Sequence, residues 1–407
     1  MEELQIGKVN TSELVENHGT PLYLYDGGRI RDQYRELEKA FDSNFESSSI
    51  NYAVKANPNP SVLSLLSEEG CGLDCASLAE MKMALRFNEA ENIIYTAPFP
   101  PQEELEFAAR NGVTVNFNSI EAFERAKELP ERISFRIDPG IGEGNFGLDF
   151  GGGSKFGVNE ENSLEAYRKA KQAGIERFGI HMMTGSGILD PEYFGKVTLK
   201  LGEIAENISE ELGIEFEFID IGGGLGVPYR PGQEELDVEE VAGNVSEALE
   251  EYEIGNPEVM MEPGRYIIAQ SGTLIAEVQD VRRKGKTYVG LNSGMHHFLR
   301  PMLYDAFHEI EAVNPSDEEI TADIVGLVCE NTDKFAEDRE IYRVERGDLV
   351  AIRDVGAYGF AMATNWNTRP LPPEIMVEDG NTEIIRKSQE WPDVFHGTGF
   401  QGDENQF

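Results

Sequence analysis

The sequence predicts an α/β chain: a (β/α)8 TIM-like barrel joined to a C-terminal, mostly antiparallel β domain. Three observations predict it. Eight short β-rich runs alternate with longer amphipathic runs between about residues 49 and 265. After about residue 270 the helical periodicity gives way to short strands separated by turns. Polar and glycine signals gather at the C-terminal ends of the first eight strand runs, the face on which barrels carry chemistry.

The expected barrel strands are 49–55, 72–75, 93–96, 114–118, 133–138, 178–183, 216–221 and 258–262. Each is a short run enriched in β-branched and aromatic residues. Between them, apolar residues recur at helical spacing over 60–69, 78–87, 101–111, 120–129, 163–173, 191–212 and 238–253. Eight strand signals, each followed by a helix signal or a connecting segment, fit a closed barrel better than an open doubly wound sheet. The second domain is expected to hold strands at 272–283, 286–291, 323–329, 348–354 and 382–386, with Pro21–Tyr25 adding one more. The domain reading is therefore 30–270 for the barrel and 1–29 with 271–390 for the β domain. Residues 391–407 are polar and glycine-rich and read as a loosely held tail.

The chain of 407 residues carries 75 acidic against 35 basic side chains, a formal charge of −40. That balance excludes a general nucleic-acid binder, which needs a cationic surface. Spread along the whole chain, it reads as a hydrated surface suited to high salt, a halophilic adaptation. Three cysteines, Cys71, Cys75 and Cys329, argue against a disulfide scaffold and for a reducing compartment. Cys71 and Cys75 lack the second pair that a zinc site needs, so no metal is expected. The first ten residues have no basic and apolar leader pattern, and no window approaches eighteen apolar residues. A cytoplasmic protein without membrane segments is expected.

The chemistry starts at Lys55, which ends the first strand run in Tyr52-Ala53-Val54-Lys55-Ala56-Asn57. Burial lowers an ammonium pKa and makes the amine a nucleophile of the Schiff-base kind. A strand-end lysine that reaches out to water has the same local pattern. Gly222-Gly223-Gly224 follows the seventh strand, where barrels bind phosphate. Consecutive glycines let backbone N–H groups converge on an anion, though a tight turn also explains them. Gly185-Ser186-Gly187 follows the sixth strand and offers a hydroxyl to the same anion, while Gly151-Gly152-Gly153 reads as a flexible loop. Glu262-Pro263-Gly264-Arg265 closes the eighth strand. A buried acid there either forms a structural pair with arginine or holds an aromatic cofactor nitrogen protonated, the electron-sink requirement of pyridoxal chemistry.

These motifs, followed in order by Cys329-Glu330 and Gly356-Ala357-Tyr358-Gly359, resemble the fold-type III pyridoxal phosphate decarboxylases, and most closely the diaminopimelate decarboxylase family. The resemblance runs from about residue 20 to 385. It implies pyridoxal 5'-phosphate as cofactor, with Lys55 bound to it as a Schiff base. It implies Ser186, Gly223, Gly224 and Gly264 around the phosphate, Tyr358 close to it, and Glu262 on the ring nitrogen. Cys329 and Glu330 would enter the site from the partner subunit of a homodimer.

The substrate follows from charge. Arg265, Arg300 and Tyr304 would lie together on the family pattern, and two guanidiniums with a phenol receive a carboxylate. They would repel the distal ammonium of a simple diamine precursor. Glu330 would take a distal amine. The implied reaction is decarboxylation of meso-2,6-diaminopimelate to L-lysine and carbon dioxide, with Cys329 or Lys55 returning the proton. The family commonly has a second histidine at the position of Met183, which stacks on the cofactor ring. A thioether packs on a ring but carries no charge. Asn331-Thr332 and Trp366 also depart from the common pattern. Two other readings stay open: a related decarboxylase for another amino acid with a distal carboxylate or polyamine chain, and a catalytically silent cofactor-binding regulator.

Overall fold

A computed structural model describes residues 4–144 and 154–399. Gly151–Gly153, read above as a loop, lies outside the described residues. The chain divides into two compact units. One comprises residues 31–228 and 232–267; the other comprises 1–30, 229–231 and 268–407.

The larger unit is a closed eight-stranded parallel barrel. Its strands are Ser48–Ala53, Gly72–Cys75, Ile93–Ala97, Thr114–Phe117, Arg132–Asp138, Arg177–Met182, Phe216–Asp220 and Glu258–Met261. Each pairs in parallel with the next, and Met261 opposite Ile50 closes the ring. Alternating helices cover it, and the sequence shows why they start where they do. Asn59, Ser77, Ser119, Asp190 and Asp237 each accept a backbone N–H in the first turn of the helix that follows, relieving donors that no helix satisfies internally. Two helices stop early. Leu78–Ala84 tightens into a turn in which Arg86 N–H bonds Met83 and Phe87 N–H bonds Ala84. Ile120–Arg125 ends before Leu129-Pro130, where the proline disfavours helix in the residue before it. Phe117, Phe123, Phe135 and Tyr167 interlock edge to face on one side of the barrel wall.

The smaller unit is organised by the long strand Gly272–Lys284, which pairs antiparallel with Lys286–Leu291, Leu349–Arg353 and the N-terminal strand Leu22–Asp26. Its core joins Leu22, Leu24, Ile275, Ala351, Ile375 and Val377. Three of its strands give no clear signal in the sequence: Ile310–Ala312, Lys334–Tyr342 and Glu374–Glu378. Lys334–Tyr342 buries only Phe335 and Ile341 among charged neighbours, so it shows no apolar alternation. The strand expected to reach Cys329 stops at Val325. Beyond it the chain wraps a carboxylate: Asp333 accepts N–H groups from Met295 at 2.6 Å and Val328 at 2.7 Å. In the C-terminal stretch, Asp393–Phe395 forms a short 3-10 turn and Trp391 meets Phe395 edge-on. Residues 400–407 lie outside the described set.

Candidate active site

The C-terminal mouth of the barrel collects the titratable groups. Lys55 sits one turn past its strand, on the 3-10 segment Val54–Ala56 rather than on the strand itself. Its Nζ lies 2.6 Å from Asp74 Oδ2 at the end of the second strand. Asp74 is fully buried, whereas the Lys55 side chain is about half exposed. Burial, with the negative charge of Glu262, pushes the Asp74 carboxyl up to about 7 against the pull of Lys55.

Arg136, His181 and Asp220 lie in lateral register on the fifth, sixth and seventh strands. All three are buried. His181 Nε2 meets Glu262 Oε2 at 3.1 Å. Burial lowers the imidazole pKa, with the Glu262 charge and contact opposing, and an N–H at Nε2 would donate to the carboxylate. Burial alone would push Glu262 up, but the His181 charge and contact and the Lys55 charge, with Asp220 nearby, hold it below the usual carboxylate range. Arg136 donates to Met183 O at 3.0 Å and stacks on the Phe156 ring at 4.5 Å. Burial lowers its pKa to about 10, with Glu262 and Asp74 opposing.

The glycine run is built into this layer. Gly224 has φ +100°, and a Cβ on Gly223 would stand 2.3 Å from the Glu262 carbonyl oxygen. Only glycine fits at both places, the first for conformation and the second for space. Gly223 N–H points at Met183 Sδ, 3.2 Å away. Gly224 O accepts from Ile188 N–H, locking the run to the loop after the sixth strand. In that loop Ser186 Oγ accepts from Arg265 Nη2 at 3.4 Å. The structure therefore brings Lys55, Ser186, Gly223, Gly224, Glu262, Gly264 and Arg265 to one unit and one barrel end.

Arg300, Tyr304, Cys329, Glu330 and Tyr358 belong to the other unit. Arg300 and Tyr304 open and close the short helix Arg300–Tyr304. Arg300 is fully buried, and its Nη1 lies 2.9 Å from Tyr229 OH and 3.2 Å from His308 Nε2. Cys329 and Glu330 are exposed, with Cys329 N–H bonded to Asn367 Oδ1 at 2.9 Å. Tyr358 holds a left-handed backbone, φ +57°, unusual for a bulky residue and typical of functional turns.

Sequence reasoning gave roles to neither Asp74, Asp220 and Arg136 in the barrel nor Tyr229, His308 and Asp333 in the smaller unit. Asp74 and Arg136 were visible only as strand-end polar residues. An acid inside an apolar strand was the available signal for Asp220.

The groups present fit pyridoxal phosphate. They include an amine held by a buried acid, a backbone cradle that a Cβ would fill, and Glu262 Oε1, a buried carboxylate oxygen without a donor among the described residues. Residues 28–269 match the family described as pyridoxal-dependent decarboxylase, pyridoxal binding domain. A diaminopimelate decarboxylase of Methanothermobacter thermautotrophicus is 40% identical, over 97% of this chain and 95% of its own length. Two solved structures of diaminopimelate decarboxylases complexed with L-lysine share the fold. That from M. jannaschii has a TM-score of 0.91 at 30% identity, covering 98% of this chain and 96% of its own. That from Helicobacter pylori has a TM-score of 0.88 at 34% identity, covering 95% and 98%. No helix among the described residues is long and apolar enough to cross a membrane. A cofactor-fitted barrel mouth, a second β unit and likeness along nearly the whole length converge: this chain belongs to the pyridoxal-dependent decarboxylases and uses pyridoxal phosphate.

Proposed function

We propose that this protein decarboxylates meso-2,6-diaminopimelate to L-lysine and carbon dioxide. The observation that carries the reading is the Lys55–Asp74 contact in the same barrel mouth as the Glu262 anion. It provides an amine for a carbonyl cofactor and a counter-charge for a protonated ring. The named relatives, and the L-lysine in two of the solved structures, support the choice of substrate.

In this reading residues 30–270 hold the cofactor. Lys55 holds its aldehyde carbon. Gly223, Gly224, Ser186 and Gly264 hold its phosphate, with Tyr358 close by, and Glu262 holds its ring nitrogen. When bound, pyridoxal phosphate supplies the electron sink that takes up charge as carbon dioxide departs. The protein does the rest. Asp74 keeps the Lys55 amine in place. Arg265, Arg300 and Tyr304 bind the distal carboxylate, with Tyr358 at the same end of the substrate. Tyr229 and His308 orient the Arg300 fork, as bidentate recognition requires. Glu330 takes the distal ammonium. Cys329 or Lys55 holds the proton that returns to the α-carbon.

Cys329 and Glu330 act from the partner of a homodimer in this reading, and residues 1–29 with 271–390 form the domain that carries them. The acidic composition suits a halophilic protein, and three cysteines without a disulfide suit the cytoplasm. The test is product analysis in molar potassium chloride with added cofactor. Lysine should appear from meso-diaminopimelate and not depend on added diamine. Turnover of L-ornithine or L-lysine, with no lysine formed from meso-diaminopimelate, overturns the proposal.

A further inference from the structure

The barrel layer that holds Glu262 contains a second carboxylate, that of Asp220, with a side-chain oxygen of each within 4.8 Å of the other. Asp220 is fully buried at the end of the seventh strand. Its Oδ1 accepts the Gly222 N–H at 2.8 Å, and Glu262 N–H bonds the Gly222 carbonyl at 2.8 Å. One glycine residue thus ties the Asp220 carboxyl to the Glu262 backbone. One side-chain nitrogen or oxygen each from His181, Asp220 and Glu262 lies within 4.8 Å of the other two. As carboxylates, Asp220 Oδ2 and Glu262 Oε1 are both buried acceptors with no donor. Two ionised acids cannot bond to each other, and like charges this close in a dry site share a proton.

The surroundings decide which acid keeps it. Glu262 faces the His181 N–H and the charges of Lys55 and Arg136. Asp220 faces the Gly222 N–H, and the titratable groups named beside it, Glu262 and Asp74, are both acids. Lys55 and Arg136 thus favour charge on Glu262. Burial and the Glu262 charge push Asp220 well above the usual carboxylate range.

We propose that Asp220 keeps its proton and donates it to Glu262, serving as a positioning residue that fixes Glu262 as an anion aimed at the ring nitrogen of the cofactor. With His181, it gives Glu262 two donors from two strands. The inference rests on the pyridoxal reading of the site, but the proton itself can be observed independently of turnover.

The test uses infrared difference spectra of the holoenzyme, wild type minus Asp220→Asn, with dissociation constants for pyridoxal phosphate. A protonated-acid carbonyl band, present in wild type across neutral pH and missing from the variant, is expected. Asp220→Asn keeps a donor to Glu262 and an acceptor for Gly222. Asp220→Ala keeps neither and should bind the cofactor about tenfold more weakly, the scale of one hydrogen bond to a charged group. Asp220→Asn should recover most of that loss. Absence of the band, or an Asn variant as weak as Ala, overturns the proposal. If Asp220→Ala fails to fold, the band in wild type still decides. Failure of wild type to bind the cofactor at all would sink the pyridoxal reading instead and leave the band to report on the proton.

Discussion

Replacing Asp74 with asparagine should flatten the pH dependence of stability in a defined window. The Asp74 carboxyl has no solvent exposure and carries a proton up to about pH 7 in the folded chain, against 3.8 as the ordinary value. Between those limits the folded state holds a proton that the unfolded state has released. Stability therefore falls as pH rises through the window, because the slope follows the difference in bound protons. From about pH 5 to about pH 7 this spans two pH units, and at about 1.4 kcal/mol each that gives about 3 kcal/mol. Lys55 adds little of its own, since its side chain is about half exposed and solvent screens it. The assay is urea unfolding of cofactor-free protein at about pH 5 and about pH 8 in one fixed salt concentration. Groups away from the barrel mouth titrate alike in wild type and variant, so the difference between the two isolates Asp74 together with the neighbours it touches. Wild type should lose about 3 kcal/mol more than Asp74→Asn between the two pH values. Equal losses would refute the reasoning, since Asp74 would then ionise in the fold as it does in the unfolded chain.

Gly223→Ala places a methyl 2.3 Å from the Glu262 carbonyl oxygen. Backbone must move, at about 2 kcal/mol, so cofactor affinity should fall about thirtyfold by fluorescence titration. Met183→Leu keeps the volume but removes the sulfur that meets Gly223 N–H at 3.2 Å. A weakening of cofactor binding of about two- to fivefold is expected for one weak acceptor, and an unchanged constant would deny the thioether any role in shaping the glycine turn. Asp333→Ala strips the acceptor from the N–H groups of Met295 and Val328. About 2 kcal/mol of stability should be lost by chemical denaturation, and Asp333→Asn should restore part of it.

The sequence by itself determined the barrel and the strand ends on which the candidate residues lie. Alternating strand and helix periods specify local conformation, and a parallel strand–helix repeat has few ways to close. The sixth expected helix, Pro191–Leu212, and the second strand, Gly72–Cys75, needed no correction, because Asp190 with a following proline and Gly213 mark the one, and tight apolar limits mark the other. Lys55, Gly223 and Glu262 were legible because each sits at a strand end in a distinctive run. Only the tertiary structure decided which partners those residues have. Asp74, His181 and Asp220 are scattered over about 150 positions of chain and become neighbours only when the ring closes and puts them in one dry layer. Their charge states were equally hidden, since desolvation and nearby charge set a pKa and neither is written in a local motif. The smaller unit shows the same limit. Lys334–Tyr342 is a strand because Glu319–Val325 offers it a partner, and strand pairing rewards contacts far apart in sequence that local composition cannot display.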